Sequence, residues 1–386
     1  MHVLVLPSWY PTADRPVLGT FFRDQALALR CAGLRVGVAY VEPRSLRGFR
    51  LGALAESHFQ VSETVEDGIL TVRQHGWNPL VQTLLGGLVW ARMMSGLVGR
   101  YVRLQGPPDI IHAHASLWAG YAALRASARY GTRFVVTEHS TQFCVGSFPP
   151  RLLARSLRVF RAAAATIAVS EPLRNQMSEY GAGSDILLVP NTVDPEFWKL
   201  PPRPRARAPF TFCAVGHLVP RKGFDILIRA FATRFRGRAD VKLVIGGDGA
   251  IRQDLESLAH DLDVHGQVRC LGALSREGVR QAMWNASCFV LPSLAETFGV
   301  VLIEALATGL PVIATRCGGP QDIIVPEVGV LLEPGDERGL GAAMAALPDG
   351  PAYDPQVLRA YAVERYSYAA VGAQLRSVYR TVLDAR

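Results

Sequence analysis

Apolar residues along the chain fall into two alternating rhythms. Short runs that stop at a proline, glycine or polar residue, such as HVLVLPS (2–8), LRVGVAYV (34–41) and TRFVVTEHS (132–140), read as buried strands. Between them lie longer segments with apolar residues at helical spacing, such as GTFFRDQALALRCAG (19–33), which ends at Gly33. The first half continues with PDIIHAH (108–114), the helical WAGYAALRASARYG (118–131), ATIAVS (165–170), a helix over 171–180 and ILLVPNTVD (186–194). This alternation predicts an α/β doubly wound domain with a parallel sheet. PEFWKLPPRPRARAP (195–209) breaks the rhythm with five prolines and reads as an interdomain linker. The rhythm then resumes: strands FTFCAVG, VKLVIGGDG, QVRCLGA, SCFVLPS, PVIAT and GVLLEPGD, with helices over 222–235, 251–260, 275–285 and 299–308. Val371, Leu375, Val378, Tyr379 and Val382 recur at helical spacing, predicting a long amphipathic closing helix. The expected layout is a domain over 1–200, a second over 201–365 and the closing helix over 366–386.

Composition agrees with two globular domains. The chain has 386 residues, 49% hydrophobic and 19% charged, a length at which a single core gives way to two. The apolar stretch 80–104 is interrupted by Arg92, Arg100 and Arg103, so it does not read as a membrane span. MHVLVLPSWYP lacks a basic start and meets a proline early, which fits an opening strand better than a signal peptide. The six cysteines show no CxxC pairing and read as reduced core residues of a cytoplasmic protein. The net charge of +8 is lopsided: residues 1–200 hold 20 Lys and Arg against 14 Asp and Glu, the remainder 21 against 19. No basic stripe with interleaved aromatics accompanies it, which excludes a nucleic-acid binder.

Candidate chemistry concentrates in the second half. Neither half has GxGxxG after its first strand, and there is no Walker lysine motif or GxSxG elbow. In AETFGVVLIEALATGLP (295–311), Glu296 and Glu304 bracket a Phe-Gly pair at the start of a helix that follows a strand. In a parallel sheet that loop binds ligands, and the helix start offers unpaired N–H groups to an anion. A carboxylate repels phosphate, so the two glutamates point to neutral hydroxyls, as on a sugar or ribose. Taken alone, they read equally as a capping acid and a solvated helix residue. Arg221, Lys222 and Gly223 lie where the first strand of this half meets its helix, and Lys222 is one of only three lysines (199, 222 and 242). A lysine there can reach a diphosphate. His112 and His114 are taken to point to opposite faces of their strand, so that one at most faces a site.

At this point the residues resemble a known family. ETFGVVLIE, EALATGLPVIAT, CGGPQDII, VGHLVPRKG, LVIGGDG, CLGAL, PDIIHAH, VTEHST and LLVPNTVD resemble the retaining glycosyltransferases of family 4, with the GT-B fold. The resemblance covers nearly the whole chain. It implies two Rossmann-like domains with a cleft between them, the first for the acceptor and the second for the donor, and a closing helix that crosses back to the first. It implies that Glu296 binds a hydroxyl of the transferred sugar, with backbone N–H groups of Phe298, Gly299 and Val300 nearby. Glu304 then holds the ribose, Lys222 with Arg221 neutralises the diphosphate, and the backbone around Cys270 and Leu271 meets the base. From the first domain, Gly19 allows a close approach to phosphate and His139 sits beside the sugar; His139, Glu296 and Lys222 form the catalytic set. Two departures stand out: His217 where the family carries an arginine, and a single Gly19 where it carries paired glycines.

The resemblance implies a retaining, metal-independent transfer from a nucleotide-diphosphate sugar, with no other cofactor. The acceptor is expected to be a glycan or lipid-linked saccharide of bacterial cell-envelope or exopolysaccharide synthesis. Arg151, Arg155 and Arg158, with Leu152, Leu153 and Leu157 between them, read as an amphipathic helix facing an anionic membrane surface, which places the protein in the cytoplasm, peripheral at the inner face of the membrane. The same helix reads equally as one packed on the core with a solvated arginine face. A soluble small-molecule acceptor, a nucleotide-sugar epimerase and a non-catalytic nucleotide-sugar binder are the rivals.

Overall fold

The computed structural model describes residues 1–12, 15–44, 59–77, 84–146, 148–205, 208–350 and 352–385. The chain divides into unit 1, Met1–Asn191 with Tyr368–Arg386, and unit 2, Thr192–Ser367.

Unit 1 runs β1 (His2–Pro7), α1 (Thr20–Cys31), β2 (Arg35–Arg44), β3 (Val61–Glu66), β4 (Ile69–Trp77), α2 (Leu84–Gln105) and β5 (Ile110–His114). It continues through α3 (Tyr121–Tyr130), β6 (Arg133–Glu138), α4 (Thr141–Cys144), α5 (Pro150–Ala162), β7 (Ala165–Ala168), α6 (Glu171–Glu179) and β8 (Ile186–Leu188). The strands form one sheet in the order β3-β4-β2-β1-β5-β6-β7-β8. Central strands are buried on both faces, as in a covered parallel sheet: every residue of β1 and β5 is buried, His2, His112 and His114 included. The sheet is not wholly parallel, because β3 pairs antiparallel with β4. Asp67 and Gly68, both at positive φ (49° and 74°), form the tight turn that allows this. The polar VSETVE of β3 suits an exposed edge.

Unit 2 runs β9 (Phe210–Val215), a 3₁₀ turn over Pro220–Lys222, α7 (Phe224–Phe235), β10 (Val241–Gly246), α8 (Arg252–Asp261), β11 (Val268–Gly272) and α9 (Arg276–Trp284). It continues through β12 (Cys288–Leu291), α10 (Val300–Ala307), β13 (Val312–Thr315), α11 (Pro320–Ile323), β14 (Gly329–Leu332), α12 (Glu337–Ala346) and α13 (Pro355–Tyr366). Six parallel strands lie in the order β11-β10-β9-β12-β13-β14. Phe212, Leu243, Ile245, Val290 and Ile313 from the sheet and Leu227 and Phe231 from α7 are fully buried in its core. The proline-rich stretch read as a linker is instead fastened to this unit. Trp198 is buried, Arg359 donates to the Trp198 and Pro195 carbonyls at 2.8 Å, and Arg205 donates to Thr308 and Gly309 carbonyls. Prolines and irregular backbone leave carbonyls without strand partners, and arginines supply the donors.

The chain then returns to unit 1 as α14 (Tyr368–Asp384), which lays Val371, Leu375, Tyr379 and Val382 into the core beside α1. Tyr368 donates to Asp24 at 2.8 Å and Arg376 to the Ala32 carbonyl at 3.1 Å. A Cβ at Gly372 would lie 2.3 Å from the Ala28 carbonyl oxygen, so only glycine lets the helices meet this closely. Gly372→Ala is expected to force them apart and cost about 1–3 kcal/mol, the scale of overpacking. An unchanged urea midpoint would contradict this packing.

Candidate active site

In a doubly wound sheet, ligands bind outside the carboxyl ends of the strands where the winding reverses direction. In unit 2 that reversal falls between the neighbours β9 and β12: one arm grows through β10 to β11, the other through β13 to β14. The loops leaving these two strands carry Lys222 and Glu296. Lys222 Nζ forms an ion pair with Glu296 Oε1, and both side chains are nearly buried, at 15% and 10% exposure. Ser293 Oγ donates to the same oxygen at 2.7 Å. The loops are locked together by Leu294 N donating to the Arg221 carbonyl at 2.8 Å. Gly223, at φ 64°, ends the 3₁₀ turn and starts α7; a Cβ there would lie 2.2 Å from the Pro292 carbonyl oxygen. Glu296 is further held by backbone bonds from its N–H to the Cys317 carbonyl and from Gly319 N–H to its own carbonyl, at 3.0 and 3.1 Å.

The other predicted residues of this half are placed as follows. Gly299, at φ 91°, is the N-cap of α10 with no side chain capping the helix start, and Val300 is its first residue. The Phe298 side chain turns inward against the Tyr366 ring at 5.9 Å, which leaves only its backbone to a ligand. Glu304 lies half-buried on α10. Arg221 is exposed, and its carbonyl holds the loop. Cys270 and Leu271 are half-buried at the carboxyl end of β11, two strands from β9, about 10 Å across the sheet. His217 is exposed, with Nδ1 2.8 Å from the Asp248 carbonyl oxygen. A carbonyl only accepts, so Nδ1 carries a proton and Nε2 becomes a donor only when the ring takes a second one.

Unit 1 winds outward from β1 and β5. Gly19, at φ 75°, starts α1 against the loop leaving β1, where a Cβ would lie 2.7 Å from the Trp9 carbonyl oxygen. His139 follows β6 and is 8% exposed, with Nε2 3.2 Å from His114 Nδ1. Phe22 packs on both rings, each at 4.9 Å. His112 and His114 were expected on opposite faces, but their ring centroids lie 4.3 Å apart on one face, because strand side chains alternate and residues two apart share a side. His112 is bonded by Tyr379 at 2.6 Å and Thr137 at 2.7 Å. Among the described residues, His114 Nε2 and His139 Nδ1 are buried without a partner. Cys213 and Cys288 are core residues as expected, whereas Cys31 is exposed.

Ser293 and Glu138 were not singled out from the sequence. Ser293 ends a strand-like run that also reads as simple packing. Glu138 is fully buried at the end of β6, and an acid closing an apolar strand was its visible sign.

Solved structures with the same two-unit architecture define the class. Sucrose-phosphate synthase from Thermosynechococcus elongatus matches with a TM-score of 0.78 at 19% identity, covering 100% of both chains. The Anabaena protein HepE in complex with UDP matches with a TM-score of 0.74 at 21% identity, covering 99% of this chain and 100% of that one. The fold is the two-domain α/β fold of GT-B glycosyltransferases. Residues 19–197 match Glycosyltransferase Family 4, and residues 199–364 match Glycosyl transferases group 1. The D-inositol 3-phosphate glycosyltransferase 1 of Catenulispora acidiphila is 31% identical over 323 residues, 76% of this chain and 77% of that protein. One subunit of the human phosphatidylinositol N-acetylglucosaminyltransferase is 29% identical over 290 residues, 73% of this chain and 60% of its own length. The chain belongs to glycosyltransferase family 4.

Burial holds the imidazoles neutral. It pushes His112 and His139 down to about 3 and, with the neighbouring rings, His114 well below its ordinary value. The unfolded chain takes up these protons near pH 6.5 and the folded one does not, so stability falls as pH drops from about 6.5 toward about 3, by up to about 1.4 kcal/mol per pH unit per histidine. The thermal midpoint is expected to fall between about pH 7.5 and about pH 5, and His114→Gln should make the slope shallower. Identical slopes would show that His114 is not held neutral by burial.

Proposed function

We propose that the protein is a retaining transferase that moves a sugar from a nucleoside-diphosphate sugar to an acceptor hydroxyl. The acceptor is a lipid-linked saccharide of envelope polysaccharide synthesis, presented at an anionic membrane surface. The observation that carries the reading is the Lys222–Glu296 pair where the winding of unit 2 reverses. Glu296 Oε1 already accepts from Lys222 and Ser293, which leaves Oε2 to accept from a sugar hydroxyl. The ammonium keeps two further N–H donors for phosphate oxygens. The start of α10 adds backbone N–H groups with no partner inside the helix.

Breaking the anomeric C–O bond places negative charge on the departing diphosphate, which Lys222 and the α10 start stabilise. The acceptor hydroxyl forms its new bond on the face the diphosphate leaves, and a phosphate oxygen takes the hydroxyl proton. Glu304 binds the ribose hydroxyls. No metal is needed in this scheme, since Lys222 supplies the positive charge. The UDP in the HepE structure supports the donor class. The two relatives are named for phosphatidylinositol and inositol 3-phosphate, which supports an anionic acceptor.

The membrane reading rests on unit 1. On α5, Arg151 and Arg158 are exposed, Ser156, Val159 and Phe160 are buried, and Arg155 lies over the Tyr121 ring at 4.8 Å. On α2, Leu85, Leu88, Val89 and Arg92 are exposed. Arg100, also exposed, pairs with Glu63 at 2.5 Å. Among the described residues no helix is long and apolar enough to cross a membrane.

Lys222→Ala should cost roughly 2–4 kcal/mol of transition-state stabilisation in steady-state transfer assays, and near-normal turnover would reject the donor site. Glu304→Gln should weaken nucleoside-diphosphate binding by calorimetry, whereas unchanged affinity removes Glu304 from the ribose site. In flotation assays the protein should bind anionic vesicles, release them as salt shortens the screening length below about 8 Å, and bind less with Arg92, Arg151 and Arg158 changed to Gln. Failure to bind at low salt, with efficient transfer to a soluble acceptor, would favour a small-molecule substrate.

A further inference from the structure

Glu138 is a charged side chain with no exposed surface, and among the described residues no cation pairs with it. Four donors surround its carboxylate. Oε1 accepts from the backbone N–H groups of His139 at 2.8 Å and Ser140 at 2.9 Å. Oε2 accepts from Ser116 N–H at 3.0 Å and Ser116 Oγ at 2.5 Å. Ser156 Oγ on α5 lies 2.9 Å from Ser116 Oγ, which extends the network to a third segment. Every contact asks Glu138 to accept, so the site selects a carboxylate over a carboxamide, whose NH₂ would face two donors.

The segments joined are the exits of β5 and β6. The β5 exit is strained: Ala115, a residue with a Cβ, sits at φ 71°. Such a conformation persists only when its surroundings over-determine it. Glu138 on one side and Ser8, whose Oγ donates to the His114 carbonyl at 2.8 Å and accepts from Ala119 N–H at 3.2 Å, on the other do so. The backbone of His139 is thereby fixed through Glu138, while its ring is fixed through His114.

We propose that Glu138 is a positioning residue that acts through His139, holding that imidazole in place for the sugar without touching the substrate. The inference rests on the transfer proposed above and on the family resemblance, which implies that His139 sits beside the transferred sugar.

A double-mutant cycle tests it. Glu138→Gln is expected to lower kcat about 10- to 100-fold, the scale of a displaced group at a reacting centre, at temperatures where the variant is still fully folded, with the donor KM changed by less than about threefold. In a His139→Ala background the same change should cost less than about threefold more, because its effect is already lost. Glu138→Asp, a shorter carboxylate, should recover part of kcat. Multiplying losses in the cycle, or a kcat loss that disappears at temperatures well below the variant's thermal midpoint, would overturn the inference. Should Glu138→Gln fail to fold, Ser116→Ala, which removes one donor, is carried through the same cycle with the same criterion. If His139→Ala alone transfers sugar at the wild-type rate, it is the placement of His139 beside the sugar that fails. That outcome is distinct from additivity between two damaging variants.

Discussion

The winding of a parallel sheet from its middle outward is the constraint on which the rest of unit 2 depends. Each right-handed crossover carries the chain to a neighbouring position, so the arm β9-β10-β11 and the arm β12-β13-β14 lead away from one another. The loops that leave β9 and β12 are therefore drawn to opposite faces of the sheet, and the gap they leave cannot be filled by a connecting helix. Lys222, Glu296 and the start of α10 line that gap. Lys222 ends the loop from one strand and Glu296 lies in the loop from the other, and neither could meet the other in any register that placed a third strand between β9 and β12.

The pairing of these two residues settles a question of electrostatics. A lone ammonium this far from water would be costly, as would a lone carboxylate. Together, with Ser293 as a third member, they hold one another in fixed directions. A pre-oriented pair loses little side-chain freedom when a ligand arrives. It also makes each residue depend on the other, since removing either leaves a nearly buried charge without its partner.

The elements of both units were legible wherever the period was clean. The wholly apolar β12, the short buried run of β5 and the stripe of α14 follow directly from the order of residues. The β3–β4 hairpin carried its own sign in Asp67-Gly68, yet the polar face of β3 hid it. The docking of 195–205 was not legible, because prolines mark a break in regular structure without saying what the broken segment rests on; the arginines that hold it come from as far away as residue 359. Of the candidate site, the residue types and their loops could be read, and the family resemblance supplied their roles. What remained hidden was partnership: that Lys222 and Glu296 form an ion pair, that three histidines share one face, and that Glu138 gathers four donors. The contacts of Glu138 with Ser116 and of Lys222 with Glu296 join residues 22 and 74 positions apart, and only the folded sheet brings them together.

The helix α14 belongs to unit 1 yet follows the whole of unit 2 in the chain. On a ribosome moving at roughly 5–20 residues per second, unit 2 emerges over about ten to thirty-five seconds after β8. Throughout that interval the pocket that receives Leu375 and Tyr379 stays open, and His112 lacks its tyrosine partner. Unit 2 has all its strands in one continuous stretch and can close first. Synthesis therefore completes the two units in the reverse of the order in which they begin.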